Sequence, residues 1–126
     1  MGTDMDASQL RKQLQQGQRE VSQLLWILKQ RPPLLRGSVY ILRRKCGKTG
    51  CRCWEGHLHE SWVLSVPEKG RKRMRVVPRG KRLVWQQMSE RYRRFRRARA
   101  GLVKRFAEIL KRVDELERER TVRPPE

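Results

Sequence analysis

Over the first thirty residues, apolar or small side chains recur at alternating spacings of four and three: Leu10, Leu14, Gly17, Val21, Leu24 and Leu28. This narrow heptad seam with one small member predicts a helix from about Asp6 to Gln30. Asp6 supplies an N-cap, and Gln9, three residues on, completes a capping-box pattern. Pro32 and Pro33 end the run, because proline has no N–H to donate and its ring clashes with the preceding turn.

Between residues 36 and 79 the helical period is lost. Ser38 to Arg43 (SVYILR), Ser61 to Val66 (SWVLSV) and Arg73 to Val77 (RMRVV) are rich in β-branched and aromatic side chains. They predict three antiparallel strands, with Pro67-Glu68-Lys69-Gly70 as a turn. From about Lys81 to Arg120 the helical period returns. Its seam reads Trp85, Met88, Tyr92, Phe95, Arg99, Leu102, Phe106, Ile109, Val113 and Leu116. Residues 121 to 126 read as a flexible tail.

The predicted fold is α+β and mostly α. A long antiparallel, coiled-coil-like helical hairpin (1–31 and 81–120) carries a small three-stranded antiparallel β element (36–79) between its helices, as a single folded unit. At about 1.5 Å per residue the first helix reaches roughly 37 Å and the last roughly 60 Å. If Leu28 lies beside Trp85 to Tyr92, Leu10 lies beside Leu102 to Phe106. Ile109, Leu110, Val113 and Leu116 then have no partner within the chain. These four are the expected site of a homodimer contact or of docking on another protein.

Charge changes the picture most. The chain has 32 Lys and Arg against 13 Asp and Glu, a net of +19 over 126 residues. Between Lys69 and Arg105 there are 16 basic residues and one acid, Glu90, so +15 of the excess lies in that segment. A concentrated positive field suits a polyanion, and nucleic acid is the commonest one. The candidate contacts are Lys48 and Arg52, then Lys69, Arg71, Lys72, Arg73, Arg75, Arg79, Lys81 and Arg82. On the last helix they continue as Arg91, Arg93, Arg94, Arg96 and Arg97. Arginine's planar fork grips phosphate at two points. No Asn or Gln stands among the helix arginines, so base-specific reading has no support, and DNA and RNA remain open. An acidic protein bound by a coiled-coil adaptor is the alternative partner. Hydrophobic residues make up 37% of the chain and charged residues 36%, which limits the core. No run of about 18 apolar residues is present to span a membrane. The first ten residues lack a signal-peptide pattern, and Asp6 stands where a myristoylation motif at Gly2 needs Ser or Thr. A cytoplasmic, reducing compartment and no small-molecule substrate are the resulting expectations.

The stretch CGKTGCRCWEGHLH, residues 46 to 59, holds all three cysteines and both histidines. Cys46, Cys51, Cys53 and one histidine can supply the Cys₃His set that zinc accepts in a closed tetrahedron. Cys51 and Cys53 point the same way if Arg52 is extended. His57 and His59 compete for the fourth place, and His59, adjoining the second strand, is the better anchored. One structural zinc is the expected cofactor. A redox pair is disfavoured because Cys51 and Cys53 are too close for an easy disulfide. A phosphate loop fails because Leu42 stands where a Walker A motif needs glycine. Cysteines packed as small hydrophobes fit poorly beside Lys48, Arg52 and Glu55.

Arg36-Gly37-Ser38-Val39, Cys46-Gly47-Lys48, Cys51-x-Cys53 and Gly56-x-x-His59 are followed by a glycine turn, a strand ending in Val77-Pro78, and Tyr92-Arg93-Arg94. Together they resemble a functionally uncharacterised prokaryotic family of small basic proteins, some of them associated with mobile elements. The resemblance covers roughly Arg36 to Arg97 and implies His59 as the fourth ligand. Members usually carry Gly-Pro-Tyr after this histidine, whereas Glu60-Ser61-Trp62 follows here. No activity comes with it. The acids of the last helix alternate with Lys and Arg as solvated pairs do, and a closed Cys₃His site leaves zinc no open position. The sequence therefore reads as a non-catalytic binding protein, and the resemblance implies an accessory role beside a mobile element.

Overall fold

The computed structural model describes residues 5 to 125. Gly2 and the extreme C-terminal residue lie outside them. Helix α1 is Ala7–Leu28, strand β1 is Ser38–Arg44, β2 is His59–Glu68, β3 is Arg71–Val76, and helix α2 is Arg82–Arg120. Two helices and one three-stranded antiparallel sheet make an α+β chain. The chain divides into two compact units. One combines α1 with α2 from Arg94 onward, and the other is Pro32–Arg93.

In the first unit, α1 opens with the capping box. The Gln9 N–H donates to Asp6 Oδ1 at 2.8 Å, and the Asp6 N–H donates to Gln9 Oε1 at 3.1 Å. Two first-turn donors are thereby satisfied. Leu10 and Gly17 are buried, as the seam required. A Cβ at Gly17 would lie 2.9 Å from Ile109 Cγ1, and one at Gly101 would lie 3.4 Å from Leu24. Arg105 Nε stands 2.7 Å from Glu20 Oε2. Along α1 these partners rise from 17 to 24 as those on α2 fall from 109 to 101.

This register corrects the predicted one. Ile109 meets α1 at Gly17, so the seam beyond Phe106 is not bare. The error came from placing the end of α1 beside the start of α2. The connection after Leu28 is long, and within the second unit its Leu35 N–H donates to the Met88 carbonyl at 3.1 Å. The inward face of α2 is also rotated from the predicted seam. Ala98, Leu102, Arg105, Ile109, Arg112 and Leu116 are shielded, whereas Phe106 and Val113 are exposed. Glycine at 17 and 101 favours close backbone approach there, and the arginine stems cover apolar surface while their heads reach carboxylates.

In the second unit the strand order is β1-β2-β3. Ser38 pairs with Ser65 and Arg44 with His59, and Val63 pairs with Val76 and Glu68 with Arg71. Lys69 and Gly70 link β2 to β3, both with positive φ (49° and 79°). That backbone matches the natural twist of a two-residue hairpin. β2 is longer at both ends than its sequence pattern, which brings His59 into the ladder. Val63, Leu64 and Val77 form the buried core of this unit. Such side chains contribute about 1.5–3 kcal/mol each when fully buried. Gly37 has φ 138°, and a Cβ there would sit 2.7 Å from the Ser65 carbonyl oxygen. Ser89 Oγ donates to the Gly37 carbonyl, fastening the entry of β1 to α2. No helix among the described residues is long and apolar enough to cross a membrane.

Candidate functional site

The β1–β2 connection is short of apolar side chains and is shaped by local hydrogen bonds. A 3₁₀ turn covers Arg52–Glu55, closed by Gly56 at φ 100°. The Trp54 N–H donates to the Cys51 carbonyl at 3.1 Å, and the His57 N–H donates to the Arg52 carbonyl at 3.2 Å. The Trp54 indole Nε1–H donates to the Lys48 carbonyl at 3.0 Å, and Lys45 Nζ lies 5.1 Å from the centroid of the same ring. Arg52 therefore opens a turn instead of extending the chain, and the turn gives Cys51 and Cys53 a common centre.

The sulfurs of Cys46, Cys51 and Cys53 and a ring nitrogen of His59 all lie within 4.8 Å of one another. Cys46 Sγ and Cys53 Sγ are 3.5 Å apart, and Cys51 Sγ and His59 Nε2 are 3.2 Å apart. A tetrahedron with metal–sulfur bonds of about 2.3 Å has sulfur–sulfur edges of roughly 3.8 Å. The four groups are positioned to hold one metal ion. His59 belongs to the set because β2 begins at that residue and pairs it with Arg44. His57 does not belong to it.

The electrostatics suit a cation. The Cys53 backbone N–H, then the His59 ring, lower the Cys51 thiol from its ordinary value to about 6. Thiolate, the form a metal needs, is then favoured at neutral pH. The Lys48 backbone N–H lowers Cys46, but the Cys46 thiol's own hydrogen bonds to the Cys51 and Cys53 sulfurs outweigh it and leave Cys46 raised. Three sulfurs crowded together cannot all ionise without a cation between them. Cys53 is fully buried and accepts the Cys46 N–H at 3.3 Å.

Of the fifteen cations expected at a nucleic-acid surface, thirteen are exposed. Arg82 and Arg91 are half-buried and tied into the fold. The Arg82 guanidinium lies 5.5 Å from the centroid of the Trp62 ring, and Arg91 Nη1 donates to the Pro33 carbonyl at 3.5 Å. β3 is exposed at every position, so its alternating cations reach solvent on both faces.

One grouping escaped the sequence reading. Arg36, Tyr40, Lys72, Tyr92 and Arg93 line a cleft of about 530 Å³, completed by Gly37, Ser38, Ser65 and Pro67. Three cations and two phenol rings converge there, and no carboxylate joins them. Arg36 and Tyr40 stood outside the basic run, so only the alternation of Ser38 and Tyr40 onto one strand face hinted at them. No family model, curated protein or solved structure matches the chain.

Proposed function

We propose that this is a non-catalytic nucleic-acid-binding protein. Cys46, Cys51, Cys53 and His59 hold one structural zinc ion, and the cations of β3 and α2 grip the phosphate backbone. The cleft of Arg36, Lys72 and Arg93 with Tyr40 and Tyr92 carries the reading. Phosphate needs convergent cations without competing acids, and a base next to that phosphate needs an aromatic face. The zinc acts as a staple. Four protein ligands fill its coordination, so its contribution is to fix the β1–β2 connection, with Lys48 and Arg52 on it. Helix α1 and the distal half of α2 form an antiparallel hairpin in this reading. The opposed Gly17–Ile109, Glu20–Arg105 and Leu24–Gly101 contacts support it. A role beside a mobile element rests on motif resemblance alone.

The test is binding of a fluorescent oligonucleotide by paired charge-reversal variants. Arg36→Glu with Lys72→Glu should weaken binding at least about tenfold, since each lost phosphate contact removes a released counterion. Arg118→Glu with Arg120→Glu, at the far end of α2, should leave it nearly unchanged. Equal losses from both pairs would reject the cleft. Competition by an acidic polypeptide but by no nucleic acid would favour the adaptor reading.

A further inference from the structure

Four large apolar side chains lie open on α2 at spacings of three, four and three. Val103 is 59% exposed, Phe106 47%, Leu110 62% and Val113 43%. At 100° per residue they form one stripe, about a quarter-turn around the helix from the face that meets α1. The same spacing places Arg99 four residues before Val103 and Glu117 four residues after Val113. Both are exposed, and neither belongs to an ion pair among the described residues. The stripe therefore reads Arg–Val–Phe–Leu–Val–Glu, positive at one end and negative at the other.

We infer that a second copy of this chain docks antiparallel on this stripe. A single register satisfies every position. With the two-fold axis at residue 108, Val103 opposes Val113 of the second copy, Phe106 opposes its Leu110, and Arg99 opposes its Glu117. Each pairing occurs twice, as an isologous interface demands. Parallel pairing would set Arg99 against Arg99 and Glu117 against Glu117, and would align the two basic segments side by side. The antiparallel arrangement separates the parts of those segments that precede Arg94 instead. Arg94 of one copy and of the other lie roughly 40 Å apart along the helix direction, several screening lengths in ordinary salt. The self-complementary order of charges selects a second copy over an unrelated partner. This surface differs from the predicted one, because Ile109 and Leu116 are shielded and only Leu110 and Val113 remain available.

Sedimentation equilibrium of the full chain between about 1 and 100 μM, with and without substitutions, tests the inference. The wild type should dimerise in this range. Leu110→Asp should weaken dimerisation at least tenfold with unchanged helix content by circular dichroism, since the residue lies outside the interior. Arg99→Glu and Glu117→Arg should each weaken dimerisation, and the two together should restore it. A wild-type monomer at 100 μM would overturn the inference, as would a dimer indifferent to Leu110→Asp. Failure of the double charge exchange to restore association would overturn the antiparallel register.

Discussion

At Cys51 the fold and the candidate site meet in one side chain. Its sulfur lies 3.2 Å from the His59 ring, and its carbonyl starts the 3₁₀ turn that carries Cys53. The donor set was legible because every cysteine and histidine of the chain falls in fourteen residues. The turn was not legible, because Cys-x-Cys fits an extended chain equally well and hydrogen bonds to Lys48 and Arg52 decide the matter. Purified protein should contain about one zinc per chain, measured by elemental analysis. Cys51→Ser should lose the ion and destabilise the fold by about 2 kcal/mol or more, since metal binding to such sites is folding free energy. A chain that melts identically with and without metal would contradict this. Gly37 offers a second test at this scale. Gly37→Ala forces a Cβ against the Ser65 carbonyl in backbone that L-residues avoid, and should cost about 2 kcal/mol by denaturant unfolding.

Among the elements, α1 shows how far periodicity reaches. Its cap, its seam and its end were written in Asp6, Gln9, the heptad residues and the two prolines, and α1 ends at Leu28, within two residues of the predicted Gln30. For α2 the boundaries were legible but the inward face was not. Phe106 and Val113 continue the hydrophobic spacing, whereas the structure turns Arg105 and Arg112 toward the shielded side. A pattern scored by hydropathy cannot anticipate an arginine whose stem packs and whose head is paired. Arg105 bonds Glu20 at 2.7 Å and Glu108 at 2.9 Å, and these two carboxylates, Glu108 first, raise its pKa. Both side chains of the inter-helix pair are about a third exposed, so screening keeps its worth modest. Arg105→Ala should lower the denaturation midpoint slightly, and a double-mutant cycle with Glu20→Ala should give a small favourable coupling. Zero coupling would mean that the stem alone matters.

Over the whole molecule, charge is the property most easily read and least easily localised. The segment from Lys69 to Arg105 led to the expectation of a polyanion partner, yet it did not lead to a cleft. The cleft draws Arg36 from just before β1, Tyr40 from β1, Lys72 from β3, and Tyr92 and Arg93 from α2, and only the sheet register and the Ser89 bond to Gly37 unite them. Arg82 beside the Trp62 ring and Arg91 beside the Pro33 carbonyl make the same point: tertiary partners are invisible in a list of cations. The central claim is phosphate-dominated binding, and a salt titration of affinity for duplex DNA tests it most directly. With about six phosphate contacts, log affinity should fall linearly with log salt at a slope near −5. An affinity indifferent to salt, or no binding to duplex or to single strands at low salt, would contradict the account.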